Sequence, residues 1–181
     1  MSARDEETGD QELLARIAAG DMTAMRALYL RHAAVVERFA RSRLNDPAEA
    51  ADVLHNTMLD VWRNAATFGG RSAVRSWMLS IARNKAVDLI RKRARTELAE
   101  PDDTLPDDAP DPEAALAAAQ DAQRVRDCVA KLGERHRAAV QLAYFEEMSV
   151  AEIAAAEQVA EGTVKTRLFH ARKLLMRCLS R

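Results

Sequence analysis

Aromatic side chains are scarce in this chain of 181 residues, where two Trp, two Tyr and four Phe make up 4% of the total. Glycine and proline are nearly as sparse, at six and five. Ala, Leu, Arg and Glu dominate instead, a composition that favours helices over sheets and leads us to expect an all-α fold. No run of eighteen or more apolar residues exists, so no apolar membrane-spanning segment is expected. The first residues, Met1 to Glu7, are polar and acidic rather than basic and apolar like a signal sequence. The expectation is a soluble, cytoplasmic protein without membrane insertion.

Only two cysteines are present, Cys128 and Cys178, with no second Cys or His near either at metal-ligand spacing. They are read as ordinary semi-buried thiols, with a redox pair as the alternative. His32, His55, His136 and His170 are equally scattered, and none has a Ser, Cys or carboxylate beside it in a nucleophile motif. The sequence therefore gives no reason to expect a catalytic centre, a metal or a cofactor.

The net charge of −1 conceals strong segregation. Between Arg83 and Arg95, the cations Arg83, Lys85, Arg91, Lys92, Arg93 and Arg95 face Asp88 alone. Between Glu161 and Arg181, six further cations face Glu161 alone. Between these clusters, Thr96 to Glu113 holds eight carboxylates and no Lys or Arg. Cations that only solvate a helix face would explain one cluster. Two clusters, each in the C-terminal half of a long helical pattern, point to a chain that touches polyanion at two places.

The acidic stretch also holds Pro101, Pro106, Pro110 and Pro112, and it has too little apolar surface to offset the entropy of ordering. It is read as a flexible linker, residues 96–112, between one domain at 10–95 and another at 113–181. In the first domain Asp21 is placed to cap a helix to about Leu44, with Met25, Leu28, Tyr29, Val35, Val36, Phe39 and Arg43 on one face. Asp46-Pro47 with Glu49 starts a second helix to about Ala66, striped by Ala50, Leu54, Met58, Val61 and Ala65. Gly69-Gly70 breaks the chain. Ser72 then caps a helix to about Arg95, with Val74, Trp77, Met78, Ile81, Ala82, Ala86, Leu89 and Ile90 along it. Trp77 sits on the apolar stripe, which favours core packing over a base-stacking platform.

In the second domain, Asp111-Pro112 starts a helix through Leu132 that Gly133 ends. Glu134 to Glu146 forms another, with Ala138, Val140, Leu142 and Tyr144 partly buried. Ser149 and Glu152 make a capping box for a short helix to about Glu157. A turn through Gln158 and Val159 leads to a final helix from Glu161 to Leu179. Val164, Leu168, Ala171 and Leu175 recur on its packed face, leaving Thr163, Lys165, Thr166, Arg167 and His170 elsewhere.

This is a helix-turn-helix pattern, whose last helix carries base-reading side chains on its N-terminal turns. Arg167 can bond a guanine bidentately, and Thr163 and Thr166 can touch a phosphate or a thymine methyl. Lys165 suits a phosphate, as do the free N–H groups near Gly162. Capped amphipathic helix pairs also occur in proteins that bind no nucleic acid.

The runs Glu152-Ile153-Ala154 and Gly162-Thr163-Val164-Lys165-Thr166-Arg167, with Ala171-Arg172 and Leu174, resemble region four of bacterial sigma factors of the extracytoplasmic function group. Trp77 to Arg93, and Ala48 to His55 with Val61-Trp62, look like region two of the same family. The two blocks stand in the family's order and cover most of the chain. The resemblance implies two small helical domains, region two and a region-four helix-turn-helix, in a monomer when free of partners. It implies a non-enzymatic sigma factor that brings RNA polymerase core to particular promoters and is controlled by an anti-sigma factor.

By the same resemblance Asp52, His55, Asn56, Leu59 and Arg63 bind the polymerase clamp coiled coil. Asn84, Lys85 and Asp88 line the path of the opened −10 strand, Arg91, Lys92 and Arg93 hold its phosphates, and Phe68 to Ala73 border a pocket for an extruded base. Thr163, Lys165, Thr166, Arg167 and His170 read the −35 element, and their domain docks on the polymerase flap. The acidic linker threads polymerase channels, where Asp102, Asp103, Asp107 and Asp108 mimic a polyanion or serve only as a solvated tether. The chain departs from the family pattern at His55 for Gln, Gln158 for Gly, Ala160 for Pro and Thr166 for Ser. The residues alone leave two other readings open: a dimeric helix-turn-helix regulator with an N-terminal helical sensory domain, and a helical adaptor or enzyme for other acidic partners.

Overall fold

The computed structural model describes residues 3–44, 46–96 and 114–180, and helix is the only regular structure among them. The first half comprises α1 (Ala3–Ala18), α2 (Met22–Arg41), α3 (Pro47–Asn64), a short 3-10 turn at Ala65–Thr67, and α4 (Val74–Thr96). The second comprises α5 (Ala114–Ala130), α6 (Glu134–Val140), a wide turn at Gln141–Phe145, α7 (Val150–Glu157) and α8 (Glu161–Leu179). The linker reading falls mostly on 97–113, and so does the helix start at Asp111-Pro112. Both lie outside the described residues. No described helix is long and apolar enough to cross a membrane.

The caps explain where the helices begin. Asp21 Oδ1 accepts from the N–H groups of Thr23 and Ala24 at 2.8 and 3.1 Å, and Asp46 accepts from Ala48 at 2.8 Å ahead of Pro47. The α3 stripe is buried as its spacing predicts. Gly70 takes a φ of +63° in the loop before α4, a conformation that favours glycine. That loop carries the chain past Ser72, so α4 begins at Val74, with its first backbone bond running from the Trp77 N–H to the Ala73 carbonyl.

Other expectations need correction. Helix α1 was not legible from its start, yet Leu14 and Ile17 are 2% exposed and its Asp10 bonds the buried His32 at 2.7 Å. Tyr29 and Tyr144 point outward, at 41% and 51% exposure. The helix expected over Glu134 to Glu146 widens after Val140, and Leu142 alone of that wide turn is buried. Cys128 and Cys178 are not free thiols. They form a disulfide joining α5 to the end of α8, across a separation of 50 residues.

The two halves pack against each other. One apolar cluster runs from Leu14 on α1 to Leu168 on α8, and a smaller one of Leu132, Val140 and Ala171 lies within the second half. Helix α4 packs against α7 at the join. Ala82 and Ala86 on α4, and Ala154 and Ala156 on α7, are all buried, and side chains this small let helices approach closely.

Candidate nucleic-acid interface

The sequence around α7 and α8 builds the expected helix-turn-helix. Ser149 Oγ accepts from the Glu152 N–H at 3.3 Å, and Glu152 Oε2 accepts from the Ser149 N–H at 2.8 Å, which completes the capping box. Gln158 ends α7 in the left-handed region, at φ 53° and ψ 46°, where its N–H bonds the carbonyls of Ala154 and Ala155. A non-glycine residue bears a cost of about 1 kcal/mol in that conformation. Ala160 then precedes α8 without a side-chain cap.

Val164, Leu168 and Ala171 are buried, so the other faces of α8 are free to meet a ligand. Thr163, Lys165, Thr166 and His170 are all exposed. Thr166 donates its hydroxyl to the Gly162 carbonyl at 2.9 Å, which leaves its oxygen able to accept. Lys165 lies 3.8 Å from Glu161, a loose pair open to solvent. Arg167 is different. Its side chain is 15% exposed, and its Nη1 donates to Glu157 Oε2 at 3.1 Å, so it is held at the base of the helix rather than presented outward.

On α4, Asn84, Asp88, Arg91 and Lys92 are exposed, while Lys85 and Arg93 are partly covered. The latter two tie α4 to α3: Lys85 Nζ lies 2.6 Å from Asp60, and Arg93 Nη2 lies 2.7 Å from Glu49. Any phosphate they bind must compete with those carboxylates. On α3, Asp52, His55, Asn56, Leu59 and Arg63 are all exposed. Asp52 and Asn56 share a groove of about 300 Å³ with Lys85, Asp88 and Lys92, so the α3 surface and the basic α4 face are contiguous. Trp77 packs on the core and against Phe68, with ring centroids 5.2 Å apart, as its stripe position predicts.

Ionic contacts that sequence reasoning missed cross between the halves. Arg43, just past the end of α2, donates to Glu134 and Glu157 of the second half, and its side chain is 3% exposed. Glu146 accepts from Arg38 Nε at 2.7 Å and from Arg75 Nη2 at 2.9 Å. The hydrogen bond to Glu146 holds the Arg38 guanidinium above its ordinary value. Arg137 donates to the Ser42 carbonyl at 2.7 Å, and burial pushes its guanidinium below the ordinary value. The available signal was a charge at a core position: Arg43 on the α2 stripe, and Glu157 closing an apolar run.

A helix-turn-helix and a basic helical bundle in one chain define a two-part DNA-binding protein of transcription. The Sigma-70 region 2 family matches residues 28–96, and Sigma-70, region 4 matches residues 122–175. The ECF RNA polymerase sigma factor SigL of Mycobacterium tuberculosis (strain ATCC 25618 / H37Rv) is 36% identical, over 87% of this chain and 90% of its own. The ECF RNA polymerase sigma factor RpoE of Cereibacter sphaeroides is 30% identical, over 82% of each. Among solved structures, CnrH in complex with the cytosolic domain of CnrY matches with a TM-score of 0.69 at 26% identity, covering 95% of this chain and 97% of that one. The chain belongs to the extracytoplasmic function (ECF) group of RNA polymerase sigma factors, within the sigma-70 family. It is therefore a transcription initiation factor that directs the polymerase core to specific promoters.

Proposed function

We propose that this sigma factor divides its work between the two halves, acting in the cytoplasm without a catalytic step of its own. The domain at 10–95 binds the clamp coiled coil through Asp52, His55, Asn56, Leu59 and Arg63. It opens and reads the −10 element with Asn84, Lys85 and Asp88, while Arg91, Lys92 and Arg93 hold phosphates. The domain at 113–181 reads the −35 element with Thr163, Lys165, Thr166, Arg167 and His170 and docks on the flap. Extruding a base costs a few kcal/mol, which phosphate contacts and new base contacts can offset.

The observation that carries this reading is the outward N-terminal half of α8, where Thr163, Lys165, Thr166 and His170 stand exposed beyond the capped turn. Exposed Phe169, Leu174 and Met176 on the same helix offer apolar surface for the flap. CnrH was solved in complex with the cytosolic domain of CnrY, and an anti-sigma factor is proposed as a partner of this chain. Run-off transcription with purified core polymerase tests the reading. The chain should confer start-site-specific RNA synthesis, whereas a dimeric regulator would bind a palindromic duplex and leave core polymerase without a start site.

A further inference from the structure

Glu157 has a position that reading a promoter does not call for. It is a carboxylate 2% exposed at the C-terminal end of α7, beside the buried Ile153, Ala154 and Ala156. One of its oxygens takes Arg167 of the recognition helix, and the other takes Arg43 of the opposite half. Both terminal nitrogens of Arg43 are taken, Nη1 by Glu134 and Nη2 by Glu157, while its Nε is buried without a partner. The residues assigned to the two promoter elements also converge. Arg91 and Arg167 line one cleft of about 420 Å³ between the halves, together with Arg43 and Glu157. On DNA these elements lie about 25 base pairs apart, which is about 85 Å at 3.4 Å per pair. A single cleft cannot present Arg91 to one element and Arg167 to the other, so the docked arrangement is incompatible with two-element reading.

We propose that Glu157 is a positioning residue that holds Arg167 away from DNA while the halves are docked and releases it when they separate. This rests on the promoter-reading assignment of Arg167. The physical basis is the change in surroundings of one ion pair. With Arg43 and α4 in place, Glu157 is shielded from water, and Arg167 cannot leave without stranding part of its charge. Once the halves part, Glu157 loses Arg43 and gains water, and its pair with Arg167 becomes an exposed one of little worth. Arg167 is then free to reach a guanine. Whatever separates the halves thereby switches on the −35 arginine, with no contact to α8 itself.

The test uses the full chain, a duplex carrying the −35 element of a promoter it directs, fluorescence anisotropy, and small-angle scattering. Glu157→Gln should tighten duplex binding at least threefold. In an Arg167→Ala background the same substitution should change nothing, a non-additivity that general loosening of the fold would not produce. Glu146→Gln, combined with Arg38→Gln and Arg75→Gln, breaks a remote contact between the halves. It should expand the particle in scattering and tighten binding by a similar factor. The proposal is overturned if Glu157→Gln acts equally with and without Arg167, or if separated halves bind no better than docked ones. Should Glu157→Gln not fold, the remote variant decides alone. Absence of duplex binding by every form would remove the promoter reading itself, whereas equal binding by all of them would remove only the role of Glu157.

Discussion

Arg43 and Glu157 are 114 residues apart in sequence and form an ion pair in which each side chain is 3% exposed. The pair couples the end of α2 to the helix-turn-helix, and it makes the stability of one half depend on the other. Removing one member of a buried pair leaves a charge without compensation and costs about 3–5 kcal/mol. Arg43→Met should therefore lower the denaturant midpoint and split a single unfolding transition into two. A single transition with an unchanged midpoint would show that this pair does not couple the halves.

The turn of the helix-turn-helix is predicted to improve with glycine. Gln158 occupies the left-handed region, and its side chain makes one long contact, from Arg83 at 3.4 Å. Gln158→Gly should stabilise the second half by up to about 0.6 kcal/mol, the cost of that conformation less the greater freedom of unfolded glycine. Ser149→Ala should act the other way, by about 1 kcal/mol, through loss of the capping box. Thermal unfolding of the two variants checks both signs.

The start of α2 should respond to acid. The Asp21 carboxyl is held below its ordinary value of 3.8, first by its hydrogen bond from Arg16 and then by the Ala24 N–H. A carboxyl lowered in the folded state binds its proton more readily when unfolded. Its contribution is fully present above 3.8 and is lost as pH falls through the lower folded value. Asp21→Asn should flatten the acid limb of stability against pH and leave the neutral region without further slope.

Reduction of the disulfide is predicted to loosen the second half. Cys128 and Cys178 close a span of 50 residues that includes the whole helix-turn-helix. A crosslink over such a span contributes about 4 kcal/mol by loss of freedom in the unfolded chain. Thermal unfolding with and without reductant should differ accordingly, and Cys128→Ser with Cys178→Ser should abolish the difference.

What was legible in the sequence was local. Caps at Asp21, Asp46 and Ser149 act on backbone within three residues, and the stripes of α3 and α8 follow from periodicity alone, so each could be read without knowing the rest of the chain. The exposed positions of Asp52, His55, Asn56, Leu59 and Arg63 follow from the same periodicity. The disulfide, the docking of α4 on α7 and the sharing of Glu157 join residues far apart in sequence, and no local pattern encodes them. Arg167 illustrates the boundary. Its place on α8 could be read from the heptad-like spacing, but its retention by Glu157 depends on a residue in the preceding helix and another in the first half. Tyr29 and Tyr144 stand at the edges of apolar stripes, and spacing alone does not separate an edge position that faces solvent from one that is covered.

The most direct measurement is run-off transcription by core polymerase with the wild-type chain, Arg167→Ala and Asn84→Ala, on promoters altered separately in the −35 and −10 elements. Arg167→Ala should lose discrimination at the −35 element while keeping it at the −10 element, and Asn84→Ala should show the reverse. Equal losses from both substitutions, independent of which element is altered, would contradict the division of promoter reading between the two halves.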